Sequence, residues 1–146
     1  MKWILKKFDA LSVHELYTIL RLRSEVFGVE QHCVYQDVDN KDQSCYHLMG
    51  LINDQLAAYT RIVPPGVSYA EASIGRVVTS ALHRRTGLGR ELMNESIRRL
   101  YELFGKAPVR IGAQLYLLEF YSSLGFIQTG DVYDEDGIAH IQMLLS

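Results

Sequence analysis

The feature that most constrains this chain is residues 74–89, where a strand pattern runs through a short basic loop into a glycine-rich helix start. Two glycines, Gly87 and Gly89, open the predicted helix. A helix N-terminus presents unpaired backbone N–H groups and the positive end of the helix dipole. Glycine at that point has no side chain to hold a phosphate at a distance. The segment therefore predicts a site for a phosphorylated ligand.

The residues around the two glycines exclude two common phosphate-binding motifs. A dinucleotide-binding loop needs a third glycine three residues after the second, where this chain has Leu92. A P-loop needs lysine and then serine or threonine after the second glycine, where this chain has Arg90 and Glu91. The pattern that remains is Arg84-x-x-Gly87-x-Gly89.

This pattern resembles the pyrophosphate-binding motif of the GNAT family of N-acetyltransferases, Gln/Arg-x-x-Gly-x-Gly/Ala, which binds coenzyme A. Residues 113–126 are similar to a later motif of the family, Asn-x-x-Ala-x-x-Phe-Tyr-x-x-x-Gly-Phe. Tyr121 matches the tyrosine that family members commonly use to protonate the leaving thiolate. Gln114 stands where many members carry Asn, and Leu117 where they often carry Ala.

Two further segments, residues 22–39 and 133–143, resemble the ElaA-like subfamily, so the resemblance runs from the first helix to the last strand. It implies an α+β fold in αβα layers, with a central, mostly antiparallel, splayed mixed sheet flanked by helices. With 146 residues, the chain has the length of one domain, 1–146, with a substantial core.

The resemblance implies an acyltransferase that moves an acetyl group from acetyl-coenzyme A to a primary amine by direct attack in a ternary complex. Proximity and orientation then supply much of the rate. The residues expected to hold acetyl-coenzyme A are Val77, Val78, Thr79, Arg84, Arg85, Thr86, Gly87, Leu88, Gly89, Arg90, Gln114 and Tyr121.

The reaction also needs a base or a water chain, because an amine is mostly protonated at neutral pH. Glu30 is the first candidate, since it opens a long polar loop near the expected acceptor entrance. His140 is the second, because strand alternation places it opposite Ile141 and Met143. A small amine, an antibiotic, an amino acid and a protein lysine all stay open as acceptors.

Charged residues inside the chain raise two further expectations. Asp37, Asp39 and Asp42 either attract a cationic amine or form a solvated loop surface. Arg61 and Arg76 lie within predicted strands, where an unpaired charge is costly, so each is expected to pair with a carboxylate.

A metal site is not predicted. His32, Cys33, Cys45 and His47 include zinc-ligand types, but adjacent ligands at 32 and 33 point apart in an extended chain and no Cys-x-x-Cys anchors them. The cysteines are expected to be free thiols in a reducing compartment, the cytoplasm, because the N-terminal apolar run is too short for a signal peptide.

Charge and hydropathy argue against two classes of partner. The chain has 15 basic and 17 acidic residues and a net charge of −2, which disfavours nucleic-acid binding. No stretch approaches the roughly 18 apolar residues of a membrane span. A homodimer remains an expectation, since this family often dimerises through sheet edges or exchange of the last strand.

Two other functions stay open. The first is an acyl-coenzyme A sensor or interaction module without useful turnover. The second is an N-acyltransferase for a longer acyl thioester, because the Leu-Arg-x-x-Val-Phe segment at 22–27 resembles the autoinducer synthases.

Residue patterning also predicts the order of the elements. Ser12 and Glu15 form a capping box at the start of the first helix, whose apolar stripe includes Val13 and Tyr17, and residues 28–45 form a long loop. The other predicted elements are strands 3–8, 46–52, 55–63, 70–79 and 109–113, a helix over 87–104, a helix ending at Gly125, and two strands around the turn at 134–137.

Overall fold

The computed structural model describes residues 1–33 and 35–146. Its strands are β1 Lys2–Lys7, β2 Tyr46–Ile52, β3 Gln55–Val63, β4 Ser73–Thr79, β5 Val109–Gln114, β6 Ile127–Gln128, β7 Tyr133–Glu135 and β8 Ile138–Leu145. Its longer helices are α1 Val13–Arg23, a π-helix Ser24–Glu30, α2 Leu88–Phe104 and α3 Leu118–Ser123. Single 3₁₀ turns lie at Phe8–Ala10, Asp42–Ser44, Ala81–His83 and Leu115–Leu117.

The strands form two antiparallel sheets that touch along one edge. The first sheet has the order β1-β2-β3-β4, and in the second β8 lies between β5 on one side and β6 and β7 on the other. Strands β4 and β5 meet at one parallel bridge between Ala72 and Val109, where the Arg110 N–H donates to the Ala72 carbonyl at 3.1 Å. Beyond this bridge the two strands pair with other partners, so the combined sheet is splayed.

Helices cover both faces of the first sheet. Helix α2 packs one face through Leu92 and Leu100, which share a core cluster with residues of both sheets. Helix α1 and the π-helix cover the other face, where Ile19 and Phe27 pack with Tyr59 of β3. The layers are therefore α, β and α, which confirms the predicted fold class.

Helix α1 begins as the sequence predicts but turns a different face inward. The Ser12 hydroxyl accepts from the Glu15 N–H at 3.0 Å, and the Glu15 carboxylate accepts from the Ser12 N–H at 2.8 Å, which completes the capping box. The expected apolar stripe is wrong at Val13 and Tyr17, which are 79% and 74% exposed. The buried face is instead formed by Ile19 and Leu22, which pack in the same cluster as Val26 and Phe27 of the π-helix.

The loop expected over residues 28–45 starts later than predicted, because the helix continues with a wider turn. The Gln31 N–H donates to the Val26 carbonyl at 3.0 Å and the Cys33 N–H to the Phe27 carbonyl at 2.8 Å. π-Helical turns of this kind are rare and frequent at functional sites. Elsewhere the strand predicted over 70–79 begins only at Ser73, and the short β6 was not predicted.

Three arginines and three aspartates tie the irregular segment after the π-helix to the sheet. We call this set the arginine–aspartate cluster: Arg23, Asp37, Asp39, Asp42, Arg61 and Arg76. Asp42 accepts from Arg23 at 2.9 Å and from Arg61 at 3.0 Å. Arg61 also holds both oxygens of Asp39, at 2.8 and 2.9 Å. Arg76 lies 2.8 Å from a carboxylate oxygen of Asp37.

The cluster stays charged because its partners outweigh the effect of burial. Burial raises the pKa of Asp39, but the hydrogen bonds and charge of Arg61 lower it to about 2. Burial also raises the pKa of Asp42, yet Arg23 and Arg61 together bring it below its ordinary value. Both carboxylates are therefore ionised at neutral pH, and together they balance the charges of Arg23 and Arg61.

Replacing Asp42 with asparagine should strongly destabilise the protein, because it leaves two buried guanidinium groups short of a negative charge. We expect Asp42→Asn to lower the free energy of unfolding by about 3–5 kcal/mol in urea titrations followed by circular dichroism. Asp54→Asn, in an exposed turn, is the control and should change it by less than about 0.5 kcal/mol. Equal small effects of both variants would contradict a stabilising role for the cluster.

Candidate active site

A cavity of about 640 Å³ opens where β4 and β5 diverge. Residues of β4 from Ser73 to Val77 form one wall, and residues of β5 from Ile111 to Gln114 form the other. Residues from the segment after the π-helix and from the β7–β8 turn line its remaining sides. Its size lies within the range of small-molecule sites.

A β-bulge shapes the β4 wall. Tyr59 pairs with Val78 and Arg61 with Gly75, so Arg76 and Val77 together oppose a single residue of β3. Arg76 has φ of +48°, a left-handed conformation that non-glycine residues rarely adopt. Bulges bend a strand and are frequent beside active sites. This one lies in the part of β4 that diverges from β5.

The predicted phosphate loop has the geometry of an anion site. Gly87 caps α2 with φ of +82°, which favours glycine, and its carbonyl accepts from the Glu91 N–H at 3.1 Å. The N–H groups of the first helical turn are left for a ligand. A Cβ at Gly89 would lie 3.8 Å from the Phe120 ring, so a larger side chain meets α3. Arg85 is exposed with φ of +64°.

The other residues expected to bind the cofactor surround this loop. Thr86 donates to the His83 carbonyl at 2.7 Å, and Arg90 donates to the Ser123 hydroxyl of α3 at 2.6 Å. Leu88 is buried beneath the helix start. On β4, Val77 lines the cavity, whereas the Val78 side chain packs into the core under α1.

Glu30 pairs with the phosphate loop. Its carboxylate forms an ion pair with the Arg84 guanidinium, which also donates to the Thr79 carbonyl at 3.0 Å. Glu30 was expected beside the acceptor, but in the described part of the chain it is not among the cavity-lining residues. It therefore orients Arg84 in this structure.

Gln31, the next residue, contacts the opposite side of the cleft, and sequence reasoning missed it. Its amide oxygen accepts from Gln114 at 3.1 Å, and its amide nitrogen donates to the Tyr116 hydroxyl at 3.4 Å. Glu30 and Gln31 thus link the phosphate loop after β4 to the end of β5. We call these two residues the strap.

Tyr121 lies at the cavity with a buried side chain. It is 5% exposed, packs edge-to-face against Phe120 and Phe126, and lines the cavity. No side-chain hydrogen bond occupies its hydroxyl among the described residues. Burial raises its pKa to about 12, so the hydroxyl keeps its proton at neutral pH.

His140 lies on the β8 side of the cavity and is held by two oxygen atoms. Its Nδ1 lies 2.8 Å from the Ile138 carbonyl oxygen, and its Nε2 lies 3.3 Å from the Glu135 carboxylate. The sequence singled out His140 but treated Glu135 only as part of a turn. The sequence feature that could have identified Glu135 is its place in the acidic turn of the β7–β8 hairpin, because this hairpin brings Glu135 beside His140.

The three aspartates of the loop match neither of the two expectations for them. Asp37, Asp39 and Asp42 are neither free to attract a cation nor a solvated surface, since arginines neutralise all three. The pairing expected for Arg61 and Arg76 is confirmed.

No metal site emerges within residues 1–33 and 35–146, where no three His, Cys, Asp or Glu side chains are grouped to hold an ion. Both ring nitrogens of His47 are occupied, by the Tyr59 hydroxyl at 2.7 Å and by the Asp42 carbonyl at 2.9 Å. In the same ranges, no helix is long and apolar enough to cross a bilayer.

Comparison with known proteins identifies the family. A family model described as an acetyltransferase (GNAT) domain matches residues 13–146. Protein ElaA of Escherichia coli is 41% identical over 145 residues, covering 98% of this chain and 95% of the relative. The chain therefore belongs to the GNAT acetyltransferase family, and within it to the ElaA-like subfamily.

Solved structures agree with this assignment. The crystal structure of E. coli ElaA superposes with a TM-score of 0.92 at 39% identity, covering 99% of both chains. An acyl-CoA N-acyltransferase from Pseudomonas aeruginosa gives 0.94 at 40% identity, with the same coverage. An aminoglycoside 6′-N-acetyltransferase complexed with coenzyme A gives 0.71 at 16% identity, over 97% of this chain and 95% of that chain, and shares the fold alone.

Removing the charge of Glu30 should release the Arg84 side chain. We expect Glu30→Gln to increase the fast motion of the Arg84 guanidinium, measured by relaxation of its side-chain nitrogen in NMR. Glu25→Gln, which removes the exposed partner of Arg21, should leave Arg84 unchanged. Unaltered Arg84 relaxation in Glu30→Gln would show that the strap does not hold the loop in solution.

Proposed function

We propose that this chain is an N-acetyltransferase that transfers the acetyl group of acetyl-coenzyme A to a primary amine by direct attack. The observation that carries the proposal is Tyr121, a protonated hydroxyl with a raised pKa at the cavity between the splayed strands. Membership of the GNAT family supports an acyltransferase reaction. The two splayed walls provide the space in which thioester and amine meet.

The glycine loop fits the pyrophosphate of coenzyme A. The backbone N–H groups from Arg85 to Gly89 and the positive end of α2 attract its negative charge. Exposed Arg85 adds positive charge at the same place, whereas Glu30 balances the charge of Arg84. The pantetheine arm pairs with the free edge of β4 at Val77–Thr79, as an added strand would.

The chain's own groups then supply the proton transfers. As the amine nitrogen bonds to the acetyl carbon and the carbon–sulfur bond breaks, Tyr121 donates its proton to the thiolate. A backbone N–H of the β4 edge polarises the thioester carbonyl. An amine that enters as an ammonium ion first gives one proton to a base or to water. A second proton leaves the nitrogen once it has bonded to the acetyl carbon, and this proton returns the Tyr121 phenolate to its hydroxyl form.

His140 is the candidate that removes the proton from the amine, and Glu135 lines the cavity beside it. The His140 Nδ1 lies 2.8 Å from the Ile138 carbonyl oxygen, so Nε2 is the nitrogen that accepts the proton, once the incoming ammonium group takes over the 3.3 Å contact with the Glu135 carboxylate. Glu30, the other candidate base, acts in this proposal through Arg84 on the cofactor, because its carboxylate is engaged there.

Two alternatives are distinguished by activity. A binding module takes up acetyl-coenzyme A without acceptor-dependent release of thiol. An N-acyltransferase for a longer acyl group prefers longer thioesters when two are offered in competition. No described contact favours either over acetyl transfer.

Removing the Tyr121 hydroxyl should slow the reaction without weakening cofactor binding. We expect Tyr121→Phe to lower kcat by about 100-fold or more in a thiol-release assay, because a positioned general acid is lost. Its affinity for coenzyme A should stay within about twofold, and Tyr101→Phe on α2 should behave as wild type. Full activity in Tyr121→Phe would remove the acid role from this residue.

A bulky side chain in the glycine loop should weaken cofactor binding. In calorimetric titrations we expect wild type to bind acetyl-coenzyme A and coenzyme A but not NAD. Gly89→Leu should lose at least about tenfold in affinity, since the side chain enters the space beside Phe120. Gly130→Leu, at an exposed position, is the matched control. Equal affinities in the two variants would mean that the glycine loop is only structural.

A further inference from the structure

Lys41 gives one end of the cavity a positive charge. The cavity also contains Arg61 and Arg76, but both are neutralised within the arginine–aspartate cluster. Lys41 has no carboxylate partner among the described ion pairs, and its ammonium group lies 3.4 Å from the Ser68 hydroxyl. Three arginines balance three aspartates in the cluster, so the charge of Lys41 is left over.

The surroundings of Lys41 are built to receive an anion. Ser68 and the buried Ser73 also line the cavity, so hydroxyl donors accompany the ammonium group. The Arg61 side chain is 5% exposed, and its Nε is buried without a hydrogen-bond partner. The backbone N–H of Lys41 donates to Asp39 at 3.1 Å, which fixes the base of the side chain.

Strand register separates this end of the cavity from the reaction centre. Asp39 joins Lys41 to Arg61, and Arg61 pairs with Gly75 across the first sheet. Val77 and the Gln114–His140 pair mark the other end, near Tyr121. Along β4, Val77 lies two residues after Gly75 and four after Ser73, which in a regular strand is roughly 7 and 13 Å. The bulge at Arg76 makes both distances shorter.

The walls between the two ends combine apolar side chains with phenol hydroxyls. Buried Ile74 and Ile111 line this stretch, and the hydroxyls of Tyr69 and Tyr133 lie 3.0 Å from the position of a Cβ built on Gly112. A Cβ built on Gly75 meets no heavy atom within 4 Å, so space is open beside it. Glu135, which lies 3.3 Å from the His140 Nε2, and its neighbour Asp136 supply negative charge that favours a cationic amine.

We propose that the acceptor is an ω-amino carboxylate, with its amine beside Tyr121 and its carboxylate held by Lys41 and Ser68. This inference rests on the proposed acetyl transfer and adds the substrate class. An α-amino acid does not fit it, because its carboxylate lies next to its amine and cannot reach Lys41 from the reaction centre.

The test compares matched amines in the thiol-release assay with acetyl-coenzyme A. For wild type we expect kcat/KM for ω-aminohexanoate to exceed that for hexylamine and for glycine by at least about tenfold. Lys41→Met should bring the ratio of ω-aminohexanoate to hexylamine close to one. Lys106→Met, at an exposed position after α2, should keep the wild-type ratio. Equal use of ω-aminohexanoate and hexylamine by wild type would overturn the inference and leave acetyl transfer intact.

A binding measurement separates the inference from the proposed function. Hexanoate alone, titrated into the protein with coenzyme A, should bind wild type and lose at least about tenfold in affinity in Lys41→Met. If no amine is acetylated but hexanoate binds through Lys41, the carboxylate site stands and acetyl transfer falls. If hexanoate binds both proteins equally, the site at Lys41 is wrong.

Discussion

The arginine–aspartate cluster is the interaction on which the rest of this structure depends. Its aspartates lie in an irregular segment, and its arginines come from α1, β3 and the β4 bulge. Among the described residues, Arg61 and Arg76 make most of the side-chain hydrogen bonds that join this segment to the sheet. Because the segment lines one side of the cavity, the ion pairs of the cluster fix the position of that side.

Buried charge pairs are an expensive way to fix a loop. Removing an arginine and an aspartate from water costs several kcal/mol per ion, and their attraction does no more than offset this in many proteins. The pairs contribute directional hydrogen bonds. Arg61 donates to both carboxylate oxygens of Asp39, and Asp42 accepts from two arginines. The cluster therefore specifies one arrangement of the cavity wall. Arg76 links this arrangement to the strained bulge of β4.

Much of the fold could be predicted from the sequence because local patterns agree with it. The capping box at Ser12, the hairpin of β2 and β3 and the glycine-capped start of α2 all depend on neighbouring residues. The π-helix could not be predicted from the sequence, because its wide turns have no apolar period of their own and directly continue α1. The inward face of α1 was predicted wrongly for a related reason. Its buried residues Ile19 and Leu22 pack in one cluster with Val26 and Phe27 of the π-helix, which was itself not predicted.

The candidate site was predictable where chemistry follows a short motif, and not where it depends on distant partners. Tyr121 and the glycine loop lie in contiguous segments, and the structure places Tyr121 at the cavity and the glycine loop beside α3. Glu30 was assigned from its position in the chain, whereas its role depends on Arg84, 54 residues away. Gln31 gave no local signal, and the only signal for Glu135 was its place in an acidic turn, because each acts through a residue brought near by the fold.

The neutrality of the cluster changes how the cavity selects its acceptor. Three aspartates in one segment suggest attraction of a cation when only the sequence is considered. Once three arginines balance them, the field they produce at a distance is small, and the charges outside the cluster decide. Those charges differ in sign: Lys41 lies beside Ser68, whereas Glu135 lies beside His140 with Asp136 next to it in the chain. A ligand that matches these charges carries its amine and its anionic group at separate ends. The charges therefore fix the orientation in which such a ligand binds.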